Sequence, residues 1–138
     1  MREYSFKTPI RWMDMDAYGH VNNGRYCDFM VEARFHWFNQ LSCLKDWIKK
    51  DQIQFVMVKQ TIEYIKPFTF PGDIEVVQLL KRIGRSSVEL DYSLNLVSDY
   101  CSSYAKAYAK LVAYSLLTKS SIAIPEQIKQ QLLEVAKN

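Results

Sequence analysis

Cysteine is scarce in this chain and follows no pattern. Cys27, Cys43 and Cys101 are odd in number, widely separated and include no C-x-x-C pair. That argues against a disulfide framework or a zinc site, and the three read as buried, reduced thiols of a cytosolic protein. An excess of charge of one sign is missing too: 18 basic and 15 acidic residues leave a net +3. Such a balance gives no reason to expect nucleic acid, though it suits an anionic small molecule or an acidic carrier. No apolar run approaches the roughly 20 residues that a membrane-spanning helix needs. Met1 to Trp12 mixes in charged residues and has no signal-peptide core, so a cytoplasmic protein without a membrane partner is expected. Repeats, linkers and low-complexity stretches are absent as well. What remains is 138 residues, 49% of them hydrophobic, enough for one domain spanning 1–138 with a real core.

The hydrophobic period changes once along the chain. A first strand is expected from about Tyr4 to Trp12, with Tyr4, Phe6, Ile10 and Trp12 on one face and Pro9 marking an edge or bend. From Tyr26 to Leu44 apolar residues recur at helical spacing, predicting one largely wrapped helix with Glu32 and His36 paired on its surface. After Leu44 the period is two. Val56, Val58, Ile62 and Tyr64 share one face, then Ile74 to Leu80, Val88 to Leu96 and Ala105 to Ala113 alternate in the same way. Turns are expected at Pro71-Gly72-Asp73, Arg82 to Arg85 and Ser98-Asp99, and Pro125 opens a short last helix. A strand, a helix, then about four hairpin-linked strands predict an α+β fold, an antiparallel sheet packed on one central helix.

The densest chemistry lies in D-M-D-A-Y-G-H-V-N-N, Asp14 to Asn23, immediately before that helix. Asn22 or Asn23 is a natural N-cap. The first turn of a helix presents unpartnered N–H groups and the positive end of the dipole, where a developing oxyanion can be held. An acid on the loop entering such a terminus can act as base or nucleophile, so the combination points to acyl chemistry.

The segment I-R-W-M-D-M-D-A-Y-G-H-V-N-N-G-R-Y, Ile10 to Tyr26, resembles the hotdog-fold acyl-CoA thioesterases, and most of all the branch of 4-hydroxybenzoyl-CoA thioesterase and its YbgC-like relatives. Its H-V-N-N part is also similar to the plant acyl-carrier-protein thioesterases, and I-x-I-P-E at Ile122 to Glu126 extends the likeness along the chain. The resemblance implies a hotdog fold, in which an antiparallel sheet wraps one long central helix and subunits pair as homodimers or tetramers. It implies Asp16 as the catalytic carboxylate, the backbone N–H of Asn23 as the group polarising the thioester carbonyl, and a catalytic or loop-orienting part for His20. Tyr18 replaces the asparagine that the plant enzymes carry two residues after the acid, so their proposed triad does not transfer intact. Asp14 reads as a structural turn acid. Arg82 and Arg85, flanking Gly84, and Lys119 fall where relatives hold the phosphates of coenzyme A; an ordinary solvated turn is the bland alternative.

The expected activity is metal-free and cofactor-free hydrolysis of an acyl-CoA, or of an acyl group on acyl carrier protein. Two rivals are a non-catalytic acyl-CoA-binding protein of the same fold, which would have no need of Asp16, and a hotdog dehydratase or hydratase, whose H-F-P-type segment this chain lacks.

Overall fold

A computed structural model describes residues 2–99 and 101–135. The elements are β1 (Arg2–Pro9), a 3-10 turn (Trp12–Asp14), α1 (Arg25–Asn39), α2 (Ser42–Asp51), β2 (Ile53–Tyr64), β3 (Asp73–Ile83), β4 (Ser87–Leu96), β5 (Ala105–Ser115), β6 (Ser120–Ser121) and α3 (Glu126–Val135). All strand pairs are antiparallel in the order β1-β3-β4-β5-β2, with β6 added to β5. β1 and β2 are the sheet edges.

The three central strands bury the faces that the alternation assigns to them: Ile74, Val76, Gln78 and Leu80 on β3, Val88 to Leu94 on β4, and Ala105 to Ala113 on β5. Four of the five inward positions on β5 from Ala105 to Ala113 are alanines, so nothing longer than a methyl keeps the helix off the sheet there. α1 fills the space with Tyr26, Phe29, Met30, Ala33 and Trp37, all in one continuous core.

Three expectations change on contact with the structure. The single helix from Tyr26 to Leu44 is two. The N–H groups of Gln40 and Leu41 fall back on the carbonyls of Trp37 and Phe38, tightening the last turn of α1. Leu41 then leaves helical geometry (φ −103, ψ 88) while its side chain stays fully buried, and the chain restarts at Ser42. An N–H of the new helix, that of Leu44, is met by Gln131 Oε1 on α3 at 3.1 Å. The first strand stops at Pro9, and Trp12 stands 73% exposed on the 3-10 turn. On β2, a bulge between Met57 and Lys59 shifts the register against β5. Ile53 and the partly buried Phe55 and Met57 face inward before it and Ile62 after it, so Val56 and Val58 are exposed.

Two smaller corrections concern polar and thiol side chains. The cysteines are not buried: Cys27 and Cys43 are half-buried and Cys101 is exposed. His36 packs at a tilt of 31° against Phe6 with ring centroids 4.5 Å apart, and it makes no hydrogen bond to Glu32. No helix among the described residues is long and apolar enough to cross a membrane.

Candidate active site

The loop between β1 and α1 is fixed first by Asp14, whose side chain is 0% exposed. Its carboxylate accepts the Arg11 N–H at 2.8 Å, Arg11 Nη2 at 3.1 Å and Arg25 Nε at 2.9 Å. Arg25 lies in the first turn of α1, so Asp14 ties the loop to the helix it enters. This bears out the structural part given to Asp14 by its position. Burial pushes the carboxyl pKa upward, but the Arg11 hydrogen bonds and the Arg25 and Arg11 charges outweigh it and hold Asp14 below the usual carboxylate range. A lowered native pKa means that the contribution is complete above the unfolded value, about 4, and is lost as pH falls through the lower native one. Asp14→Asn should therefore destabilise the fold by about 2 kcal/mol at neutral pH, the range of hydrogen bonds to charged groups. In urea unfolding, the gap between the two proteins should close as pH falls below 4; a gap that stays constant would contradict the assignment.

Beyond Asp14 the chain makes a short hairpin. The Asn22 N–H donates to Asp14 O at 2.8 Å, Met15 and Val21 pair, and the Asp16 N–H donates to His20 O at 2.9 Å. Gly19, at φ 80, closes the turn with its N–H on Asp16 O. The hairpin is pinned to the loop after β2 by the Val21 N–H on Phe68 O at 2.9 Å. At the tip, Asp16 is half-buried. Its Oδ1 accepts the Tyr18 N–H at 2.9 Å and lies 3.5 Å from the His20 nitrogen. Oδ2 accepts no hydrogen bond from a described residue. One carboxylate oxygen is thus held and the other is available.

Just before the helix, Asn22 Oδ1 accepts the Gly24 N–H at 2.8 Å, a local cap on the turn that leads into α1. A tight turn follows, with the Arg25 N–H on Asn22 O and the Tyr26 N–H on Asn23 O, and the regular α-helix begins at Arg25 with Gly24 flanking it. The Asn23 N–H takes no acceptor among the described residues. Its carbonyl is held from the other side, accepting the Tyr64 hydroxyl at 3.2 Å, while the Tyr64 ring packs edge-on against Tyr26 with centroids 4.9 Å apart.

Asp16, His20 and Asn23 line one cavity of about 540 Å³, together with Tyr18, Tyr64 and Lys66. The three residues expected from the motif are therefore brought together. His20 meets Asp16 through its backbone only, and its ring makes no hydrogen bond to a described residue. Tyr64 and Lys66 were not foreseen. They lie some forty residues along the chain, and the β2 alternation that would have placed Tyr64 is offset by the bulge. Lys66 Nζ donates to Ser102 Oγ at 2.9 Å and puts a cation on the cavity wall.

Arg82, Arg85 and Lys119 are not part of this cavity. β3 begins beside the loop at Asp73 and ends at the hairpin carrying the arginines, about 30 Å away at strand rise. Arg82 Nε stands 3.8 Å from Glu89, the Arg85 carbonyl accepts the Ile124 N–H, and Lys119 occupies a left-handed turn before β6.

A carboxylate with one unheld oxygen and a backbone N–H without an acceptor among the described residues belong to two residues that line one cavity; groups of these kinds are what an acyl transfer to water uses as base or nucleophile and as oxyanion donor. Comparison with known proteins leads the same way. The chain is 26% identical over 128 residues to the long-chain acyl-CoA thioesterase FadM of Escherichia coli K12, covering 93% of this chain and 96% of that protein. It is 24% identical over 131 residues to the 1,4-dihydroxy-2-naphthoyl-CoA hydrolase of Nostoc punctiforme, covering 94% and 86%. The solved PA2801 protein of Pseudomonas aeruginosa superposes with a TM-score of 0.82 at 31% identity, over 91% of this chain and 95% of that one. The sequence model of the Thioesterase-like superfamily matches residues 10–132, nearly the whole domain, and the chain belongs to that superfamily, with its hotdog fold.

Proposed function

We propose that the protein hydrolyses an acyl-CoA to the free acid and coenzyme A, with Asp16 as general base or nucleophile and the Asn23 N–H as oxyanion donor. The observation that carries this reading is the one cavity that both residues line. A thioester has an electrophilic carbonyl and a good thiolate leaving group, so little further machinery is needed. As base, Asp16 takes a proton from water while the water oxygen bonds to the carbonyl carbon. The carbonyl oxygen gains charge against the Asn23 N–H, and collapse expels the thiolate, which takes up a proton. As nucleophile, Asp16 bonds to the carbon itself, the C–S bond breaks to expel the thiolate, which takes up a proton, and water opens the resulting anhydride to the free acid and the restored carboxylate. In both routes Asp14 and the Asn22 cap keep the two groups in register, and His20 orients the loop. The relatives named for long-chain and naphthoyl substrates support the acyl-CoA class, with acyl carrier protein as the alternative acyl donor.

Free thiol released from a panel of short, long and aromatic acyl-CoAs, followed with a thiol-reporting dye in excess chelator, tests the reading. At least one substrate should turn over, and chelator should leave the rate unchanged. Binding without turnover across the panel would favour the non-catalytic alternative.

We further propose a homo-oligomer, a dimer or a dimer of dimers. The 12-residue edge strand β2 has exposed Val56 and Val58, and bare edges of this kind invite pairing. A second subunit is also what could bring the distant Arg82, Arg85 and Lys119 toward the coenzyme A phosphates. Light scattering at micromolar concentration should give at least twice the chain mass of 16.2 kDa; a monomer would contradict the assembly.

A further inference from the structure

A second cavity, of about 610 Å³, lies over β2 between α1 and α2. Its walls are Val31, Phe35 and Phe38 of α1, Ile48 of α2, and Phe55 and Met57 of β2, and one charged residue, Arg34, stands among them. Volume and apolar lining fit a small-molecule site.

Arg34 is the anomaly. It is 7% exposed, and no carboxylate of a described residue lies within ion-pair distance. Its only hydrogen bond to a described residue runs from Nη1 to the Tyr92 hydroxyl at 3.0 Å, and that hydroxyl donates onward to Gln78 Oε1 at 2.8 Å. Tyr92 does not neutralise it. Burial pushes the phenol pKa up to about 12 despite the adjacent guanidinium, so the ring stays uncharged. Among the described residues only Trp37 Nε1 is a fully occluded side-chain nitrogen or oxygen without a partner. Arg34 Nε and Nη2 are bonded to nothing described, and Arg34 forms part of the wall of this cavity. A buried charge without a counter-charge is costly, and the planar guanidinium with two free nitrogens matches a carboxylate.

We propose that this cavity binds an aliphatic carboxylate, its carboxylate on Arg34 and its chain against Phe35, Phe38, Ile48 and Phe55. Two sources carry that chemistry: a free fatty acid, and the far carboxylate of an acyl group that ends in one.

Titration of the full chain with decanoate and with decanol, followed by calorimetry, separates charge recognition from chain burial. Decanoate should bind at least about tenfold more tightly than decanol. Arg34→Met should remove the difference and Arg34→Lys should keep part of it; the lysine variant also serves if the methionine variant does not fold. Turnover of decanedioyl-CoA against decanoyl-CoA distinguishes the sources: a tenfold preference for the diacid, lost in Arg34→Met, assigns the far end of the substrate, and decanoate binding without that preference assigns the free acid. Equal binding of decanoate and decanol with no diacid preference overturns the proposal. So does an unchanged Arg34→Met, or a cavity covered by a second copy that takes up neither ligand. Decanoate binding needs no turnover, so its result is independent of whether the protein is a thioesterase.

Discussion

Asp16→Asn is expected to lower turnover of the best acyl-CoA by at least about a hundredfold, within the range of general acid–base effects. Asparagine keeps the size of the side chain and an oxygen for the Tyr18 N–H at 2.9 Å, so the hairpin should survive and the melting temperature should move little. What is lost is the carboxylate charge, and with it both the base and the nucleophile. His20 gives the contrast. Its link to Asp16 runs through the backbone, so His20→Ala should cost about tenfold or less. A folded His20→Ala as inactive as Asp16→Asn would reverse the ranking of the two residues.

Asn23→Pro should be nearly as damaging, for a different reason. Asn23 is the second residue of the turn that the Arg25 N–H closes on Asn22 O, a position where proline is tolerated, and its own N–H takes no acceptor among the described residues. The substitution thus deletes the proposed oxyanion donor with little harm to the fold, and loss of one such donor typically costs about a hundred- to a thousandfold in kcat. Asn23→Ala keeps the N–H and should stay within a few-fold of wild type. Steady-state kinetics on the pair decide between backbone and side chain: equal losses in both variants would place the function in the asparagine amide and remove the oxyanion assignment.

The parts legible from the sequence are those set by local patterns. Alternation along β3, β4 and β5 names the buried faces, because each central strand has a neighbour on both sides and the register shift of β3, between Leu80 and Arg82, comes after its alternating residues. The D-x-D-x-x-G-H-V-N-N run names the cavity residues because the hairpin from Asp14 to Asn22 is closed by contacts within ten residues of one another. The parts missed depend on distant contacts or on a single irregular residue. The bulge beside Val58 adds one residue and reverses every later side chain on β2. The break at Gln40-Leu41 contains no proline or glycine, and both helices keep the same apolar spacing, so nothing local separates them. Tyr64 acquires its role through Asn23, 41 positions away, and Arg34 through Tyr92, 58 positions away.

The central claim is that one cavity, built from the Asp16 hairpin and the start of α1, hydrolyses a thioester. Product analysis by mass spectrometry tests it most directly, with wild type and Asp16→Asn run side by side on the same acyl-CoA in excess chelator. Wild type should give free acid and coenzyme A in equal amounts, and the folded variant should form them at least about a hundredfold more slowly. Equal rates from the two proteins, or intact acyl-CoA after prolonged incubation with wild type across the panel, would contradict it.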